Sequence, residues 1–200
     1  GSGRHAKVLG GGRTWHLKAS PRPPCPPRHR HNHGTMDAAT RFDIAIIGAG
    51  IAGTSAAALL APHRSVLLLE REAQPAYHST GRSAAMFMES YGPSGVRALT
   101  RASRAFYQQP VGSFSDTPLL GDRGALYVAA PEQRERIAAL FSELAPTCPG
   151  LLQLDQAQTL AHAGCLRPER VAGAVLEPDA MDIDVHALHQ GYLREMRRHG

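Results

Sequence analysis

The first clear apolar cluster is Phe42-Asp43-Ile44-Ala45-Ile46-Ile47, a short β-branched run that ends in glycine. A near-continuous run of this kind predicts a buried parallel strand. Beyond the glycines, Ile51 to Ala61 is rich in Ala and Leu and stops at Pro62, which predicts a helix. Val66-Leu67-Leu68-Leu69-Glu70 predicts a second buried strand. Strand, helix and strand follow one another within about 30 residues, the size of one mononucleotide-binding β-α-β unit.

Helical spacing returns further along. Val96, Leu99, Ser103, Phe106 and Tyr107 mark the inner face of a helix after the turn at Gly92-Pro93. Ile137, Leu140, Phe141 and Leu144 mark another, opened by Pro131. A third starts at Asp184 as N-cap and runs through Val185, Leu188, His189, Tyr192 and Met196. Residues 124–128, 151–154 and 173–176 read as strands between them, and no internal repeat is visible. The 18 uncharged residues from Ile44 to Ala61 have the length of a minimal membrane span. Three of the first ten are glycine, however, and the β-α-β pattern explains both ends, so no transmembrane segment is expected.

Charge changes the picture at the N-terminus. The chain has 22 Lys and Arg against 17 Asp and Glu, but seven of the cations and none of the acids lie in residues 1–35. The remainder is slightly acidic, which argues against a broad nucleic-acid face. The leader mixes Gly10-Gly11-Gly12 with Pro21, Pro23, Pro24, Pro26 and Pro27, and is expected to be disordered for want of a core. It has no apolar core of a secretory signal, and Met36 is expected to be the natural start. Cys25, His29, His31 and His33 read as an incidental cluster. The three cysteines are odd in number and lack a C-x-x-C pair, so neither a disulfide framework nor a metal site is expected. The expected location is cytoplasmic, at most peripheral to a membrane.

Candidate chemistry begins at Gly48-Ala49-Gly50-Ile51-Ala52-Gly53, a G-x-G-x-x-G between strand and helix. Gly48 permits the tight turn, Gly50 admits a pyrophosphate to the backbone, and Gly53 lets the helix approach the strand. The helix N-terminus offers N–H groups and partial positive charge to phosphates. Glu70 ends the second strand, where its carboxylate can accept hydrogen bonds from ribose hydroxyls. The unit predicts dinucleotide binding and leaves NAD and FAD both open. A long hydroxyl-rich loop follows at 71–85, unlike the short passage to the next helix that an NAD domain makes.

GAGIAG at 48–53, LLEREAQPAYHSTGRSAA at 68–85, VRALTRASRAF at 96–106 and DIDVHALHQGYLREMRR at 182–198 carry a resemblance. They resemble the FAD-dependent amine oxidoreductases of the D-amino-acid oxidase superfamily, nearest to the bacterial D-amino-acid dehydrogenases of the D-arginine type. The resemblance implies an α/β fold: a Rossmann-like FAD-binding domain over 36–110 and 182–200, and the start of an antiparallel-sheet substrate domain over 111–181. It also implies that the chain is the N-terminal half of such an enzyme and inactive alone. For the cofactor it implies contacts from Gly48, Ala49, Gly50, Ile51, Ala52 and Gly53, and from Glu70 with Arg71 beside it. Ser79, Thr80, Arg82, Ser83, Ala84 and Ala85 would line the flavin, and Met86 and Tyr91 would lie near the substrate.

Two positions depart from the arginine-preferring members: Met86 stands where the resemblance leads one to expect histidine, and Ala125 where it leads one to expect an acid. The expected reaction is therefore oxidation of the C–N bond of a neutral or apolar D-amino acid to an imine, by hydride transfer to FAD, with the electron acceptor open. The alternatives are another flavin amine oxidase of the glycine or sarcosine type, and a non-catalytic dinucleotide-binding fragment.

Overall fold

The computed structural model of the chain describes residues 5–10, 13–18 and 41–199. In order, β1 (His5–Gly10), β2 (Arg13–Lys18), β3 (Ile44–Ile47), α1 (Ile51–Leu60) and β4 (Val66–Glu70) come first. β5 (Met86–Phe87), α2 (Ser94–Gln108), β6 (Leu120–Asp122), β7 (Ala125–Ala129) and α3 (Arg134–Leu144) follow. β8 (Leu152–Leu154), α4 (Gln156–His162), β9 (Gly173–Glu177), β10 (Met181–Ile183) and α5 (Val185–His199) come last. Contacts divide the chain into two units. One runs to Ser83 and resumes at Val185; the other is Ala84–Asp184. These boundaries differ from those expected at 110 and 181, because α2 makes its ion pairs and ring contacts inside the second unit.

In the first unit β3 and β4 are parallel, with Ile44 opposite Val66 and Ile47 opposite Leu69. Ile44, Ile46, Val66 and Leu68 face one core together with Ala57, Ala58 and Ala61 of α1 and Leu193 and Met196 of α5. The alanines keep α1 thin on that side, so both helices share one face of the sheet. Ala45 and Ile47 point to the opposite face and are exposed. The strand expected to be buried on both faces is therefore covered on one. β1 and β2 form an antiparallel hairpin, and β1 pairs with β4 with Lys7 opposite Glu70. No ordered element was expected there, although polar and apolar residues alternate in part of both segments, the period of a strand. Cys25, His29, His31, His33 and Met36 lie outside the described residues.

The second unit holds two three-stranded antiparallel sheets, ordered β5-β10-β6 and β7-β9-β8. α3 packs Ile137, Leu140, Phe141 and Leu144 on Tyr127 and Val175 as its spacing predicts. α2 departs from expectation: Leu99 is 70% exposed and Val96 46%. Phe106 and Tyr107 lie on the half-buried side as expected and meet the Phe114 and Phe87 rings. That side also carries Arg97, which reaches Glu143 (2.9 Å), and Arg104, which reaches Glu89 (2.7 Å) and lies over the Phe87 ring. Arginine stems can cover apolar surface while their heads pair with acids, and apolar spacing does not register that. α4 is capped by Asp155, whose side chain accepts from the Gln158 amide while Gln158 returns to the Asp155 amide.

Candidate functional site

The glycine turn continues the strand ladder by one bond, from Gly48 N–H to the Leu69 carbonyl (2.7 Å). Gly48 then takes φ +100°, where an L side chain is strained. Ala49 is fully buried and donates its N–H to Glu70 Oε2 (2.8 Å). The other oxygen of Glu70 accepts from the amides of Arg71 (2.7 Å) and Glu72 (3.0 Å). Glu70 thus locks the glycine turn to the loop after β4, and a carboxylate with about four acceptor positions still has room for a ribose hydroxyl.

α1 starts at this turn with no acid of its own in its first turn. The Ile51 N–H donates to Thr80 Oγ1 (3.0 Å), and the Ala52 and Gly53 amides have no acceptor inside the helix. A Cβ on Gly50 would stand 3.1 Å from Thr80 Oγ1; one on Gly53 would stand 1.9 Å from the Gly48 carbonyl oxygen. Backbone donors, a hydroxyl and a cradle that a side chain would fill all suit a diphosphate.

The loop over 71–83 is fixed by its own contacts. The Gly81 amide donates to the Ala76 carbonyl (2.8 Å), and Ala76 itself sits at φ 62°. Arg82 lies over the Tyr77 ring at 5.3 Å. His78 and Arg71 both hydrogen-bond Glu72 and hold its carboxyl below the usual carboxylate range. Ser79 precedes the short turn of Thr80–Arg82. This loop and the start of α5 enclose a cleft of about 510 Å³ lined by Thr80, Arg82, Ser83, His186 and Gln190 among others.

Ala84, Ala85, Met86 and Tyr91 belong to the second unit. Ala85 has φ 46°, and its carbonyl accepts from the Ile183 amide (2.7 Å). Met86 stands opposite Asp182 in register, and the Asp182 carboxylate is paired with Arg123 (2.6 Å). Ala125 stands opposite the buried Glu177, whose oxygens are taken by the Glu89 amide and the Ser90 hydroxyl. Tyr127 donates to or accepts from Ser90 (2.8 Å), and burial, together with the Glu177 charge, pushes its phenol up. Tyr91 is 67% exposed. No group of three metal-ligating side chains occurs among the described residues, and no described helix is long and apolar enough to cross a membrane.

His189, expected only as part of the packed face of α5, donates from Nε2 to the Ala49 carbonyl (2.8 Å). The signal was present: a polar residue on the apolar face of α5. Sequence analysis missed the pairing of Arg123 with Asp182, which are 59 residues apart and carry no local pattern.

Because Glu70 holds three amides, Glu70→Gln turns a donor toward one of them. The flavin-free protein is then expected to lose about 1–2 kcal/mol of stability in urea unfolding. An unchanged midpoint and slope would show that the carboxylate does not hold the turn.

Residues 43–200 match the model of the DAO family, FAD dependent oxidoreductase. Among solved structures, glycine oxidase from Bacillus cereus superposes with TM-score 0.64 at 22% identity, over 78% of this chain and 44% of that one. L-alpha-glycerophosphate oxidase from Mycoplasma pneumoniae, with FAD bound, gives 0.66 at 16% identity over 79% and 43%. L-amino acid deaminase from Proteus vulgaris gives 0.63 at 15% over 84% and 41%. The chain thus spans less than half the length of these proteins, and they share its α/β fold.

Proposed function

The chain belongs to the DAO family of FAD-dependent oxidoreductases, and from that premise we propose that it carries the cofactor half of an enzyme oxidising neutral or apolar D-amino acids. In this reading the amine nitrogen of the substrate forms a double bond to its α-carbon as that carbon gives up a hydride and the nitrogen a proton. Water then converts the imine to a 2-oxo acid and ammonia. The bound flavin supplies the hydride acceptor.

The residues of this chain hold and orient. Gly48–Gly53 and the first turn of α1 would take the diphosphate, with Glu70 on the adenosine ribose and Arg71 beside it. Ser79, Thr80, Arg82, Ser83, Ala84 and Ala85 would line the flavin, and Met86 and Tyr91 would lie beside the substrate. The observation that carries the side-chain preference is the absence of a spare acid at the two departing positions. Asp182 beside Met86 is neutralised by Arg123, and Glu177 beside Ala125 is buried and hydrogen-bonded. An acid already paired or hydrogen-bonded in this way must give up its own partners before it can serve a cationic substrate.

The test is steady-state turnover of the flavin-loaded full-length enzyme, of which this chain is the cofactor half, with a dye as electron acceptor. Oxidation of D-Met, D-Leu or D-Phe is expected. Turnover of glycine or sarcosine with none of these three would replace the reading by a glycine-type oxidase. Bound flavin with no turnover of any amine would replace it by a binding module.

A further inference from the structure

The reading of 48–53 as the diphosphate turn is the premise here, and the second helix of the same unit adds a residue to it. Ala49 is gripped by distant side chains at both ends: Glu70 accepts from its amide, and His189 donates to its carbonyl. The helix does not use that carbonyl. Its first bond runs from the Thr54 amide to Gly50 (2.9 Å), so Ala49 lies just outside the ladder. His189 is 2% exposed and Ala49 fully buried, so the bond between them is shielded from solvent. A carbonyl only accepts, so Nε2 carries the proton.

A trans peptide points its C=O and N–H in opposite directions. The Ala49 carbonyl and the Gly50 amide share one peptide. Holding the carbonyl toward α5 therefore aims the Gly50 N–H away from α5. We propose that His189 is a positioning residue for the cofactor: its Nε2–H fixes the Ala49–Gly50 peptide in the orientation that presents the Gly50 amide to the diphosphate. α5 itself is seated independently, by Leu193 and Met196 in the apolar core, so loss of the imidazole frees the peptide without releasing the helix.

The test titrates flavin-free protein with FAD, ADP and adenosine. His189→Leu has a side chain that packs but does not donate. It is expected to weaken FAD and ADP about 10- to 100-fold, the equivalent of one buried unsatisfied carbonyl, and adenosine by about threefold or less. His189→Gln restores a side-chain N–H donor and is expected to recover FAD binding to within about fivefold of the parent. Parent-like FAD affinity in His189→Leu overturns the proposal. So does adenosine binding weakened as much as ADP, which marks a merely structural role, and so does a Gln variant no better than Leu. If His189→Leu fails to fold, His189→Asn, polar but one methylene shorter than Gln, is read against Gln in the same way. Failure of the premise shows separately: a Gly50→Val protein that keeps its flavin would move the diphosphate elsewhere whatever His189 does.

Discussion

Gly53→Ala is expected to lower the melting temperature of the flavin-free protein by roughly 10 °C and to yield protein with less than about a tenth of the parent's flavin. The added Cβ would stand 1.9 Å from the Gly48 carbonyl oxygen and 3.1 Å from its carbon. The obstacle is backbone, and Gly48 is tied to β4 through the Leu69 carbonyl, so relief requires moving α1 away from the sheet. Overpacking of this kind costs about 3 kcal/mol or more, and for a chain of this size each kcal/mol moves the melting temperature by about 2–4 °C. Gly50→Ala separates structure from binding. Its Cβ meets only Thr80 Oγ1, at 3.1 Å, and a hydroxyl on a loop can yield a few tenths of an ångström. The flavin-free melting temperature is then expected to stay within about 2 °C of the parent while flavin affinity falls, because the methyl group occupies cofactor space. Differential scanning fluorimetry and the flavin-to-protein absorbance ratio read both effects. A Gly53→Ala protein as stable as the parent would show that α1 is not packed on the turn as described.

The contrast between these glycines also shows what was legible in the residues. The strand-turn-helix-strand pattern follows from local chemistry: glycine where the backbone must turn, alanine where helices must approach, β-branched residues in the strands. β4 and α1 therefore fall where the pattern puts them, to within a residue. Residues whose partners are distant in sequence were not legible. On α2 the ring contacts of Phe106 and Tyr107 followed the apolar spacing, while the part of Arg97 and Arg104 did not show, their acids lying 46 and 15 residues away. β5, β6 and β10 are too short to carry a period and exist through pairing with one another. α4 and its Asp155 cap were not expected from the sequence, although Asp155 stands three residues before Gln158 as a capping box requires. His189 stood on the predicted apolar face; only its partner, 140 residues earlier, was hidden.

The proposed substrate preference turns on two of these distant pairings, and its expected size is large. A guanidinium brought beside Met86 and Ala125 would lose its water and meet a thioether and a methyl group. Leaving a charge unpaired in this way costs about 2–5 kcal/mol, or some 30- to several-thousand-fold in kcat/KM relative to a side chain that prefers the apolar wall. D-Met, D-Leu and D-Phe are therefore expected to exceed D-Arg and D-Lys by at least about 30-fold in a steady-state panel on the full-length enzyme. The polarity should be reversible at one position. Met86 lies opposite Asp182, whose charge Arg123 already balances, so a second carboxylate there meets a neutral pair rather than a lone anion. Met86→Glu is thus expected to raise the ratio of D-Arg to D-Met kcat/KM by about tenfold or more. If D-Arg leads the panel in the parent, the apolar reading fails, and attention passes to Asp122. That residue ends β6 opposite Met181, one position from Arg123 and in the same sheet as Met86. Asp122→Asn would then abolish the D-Arg preference if its carboxylate were the partner that Met86 and Ala125 do not supply.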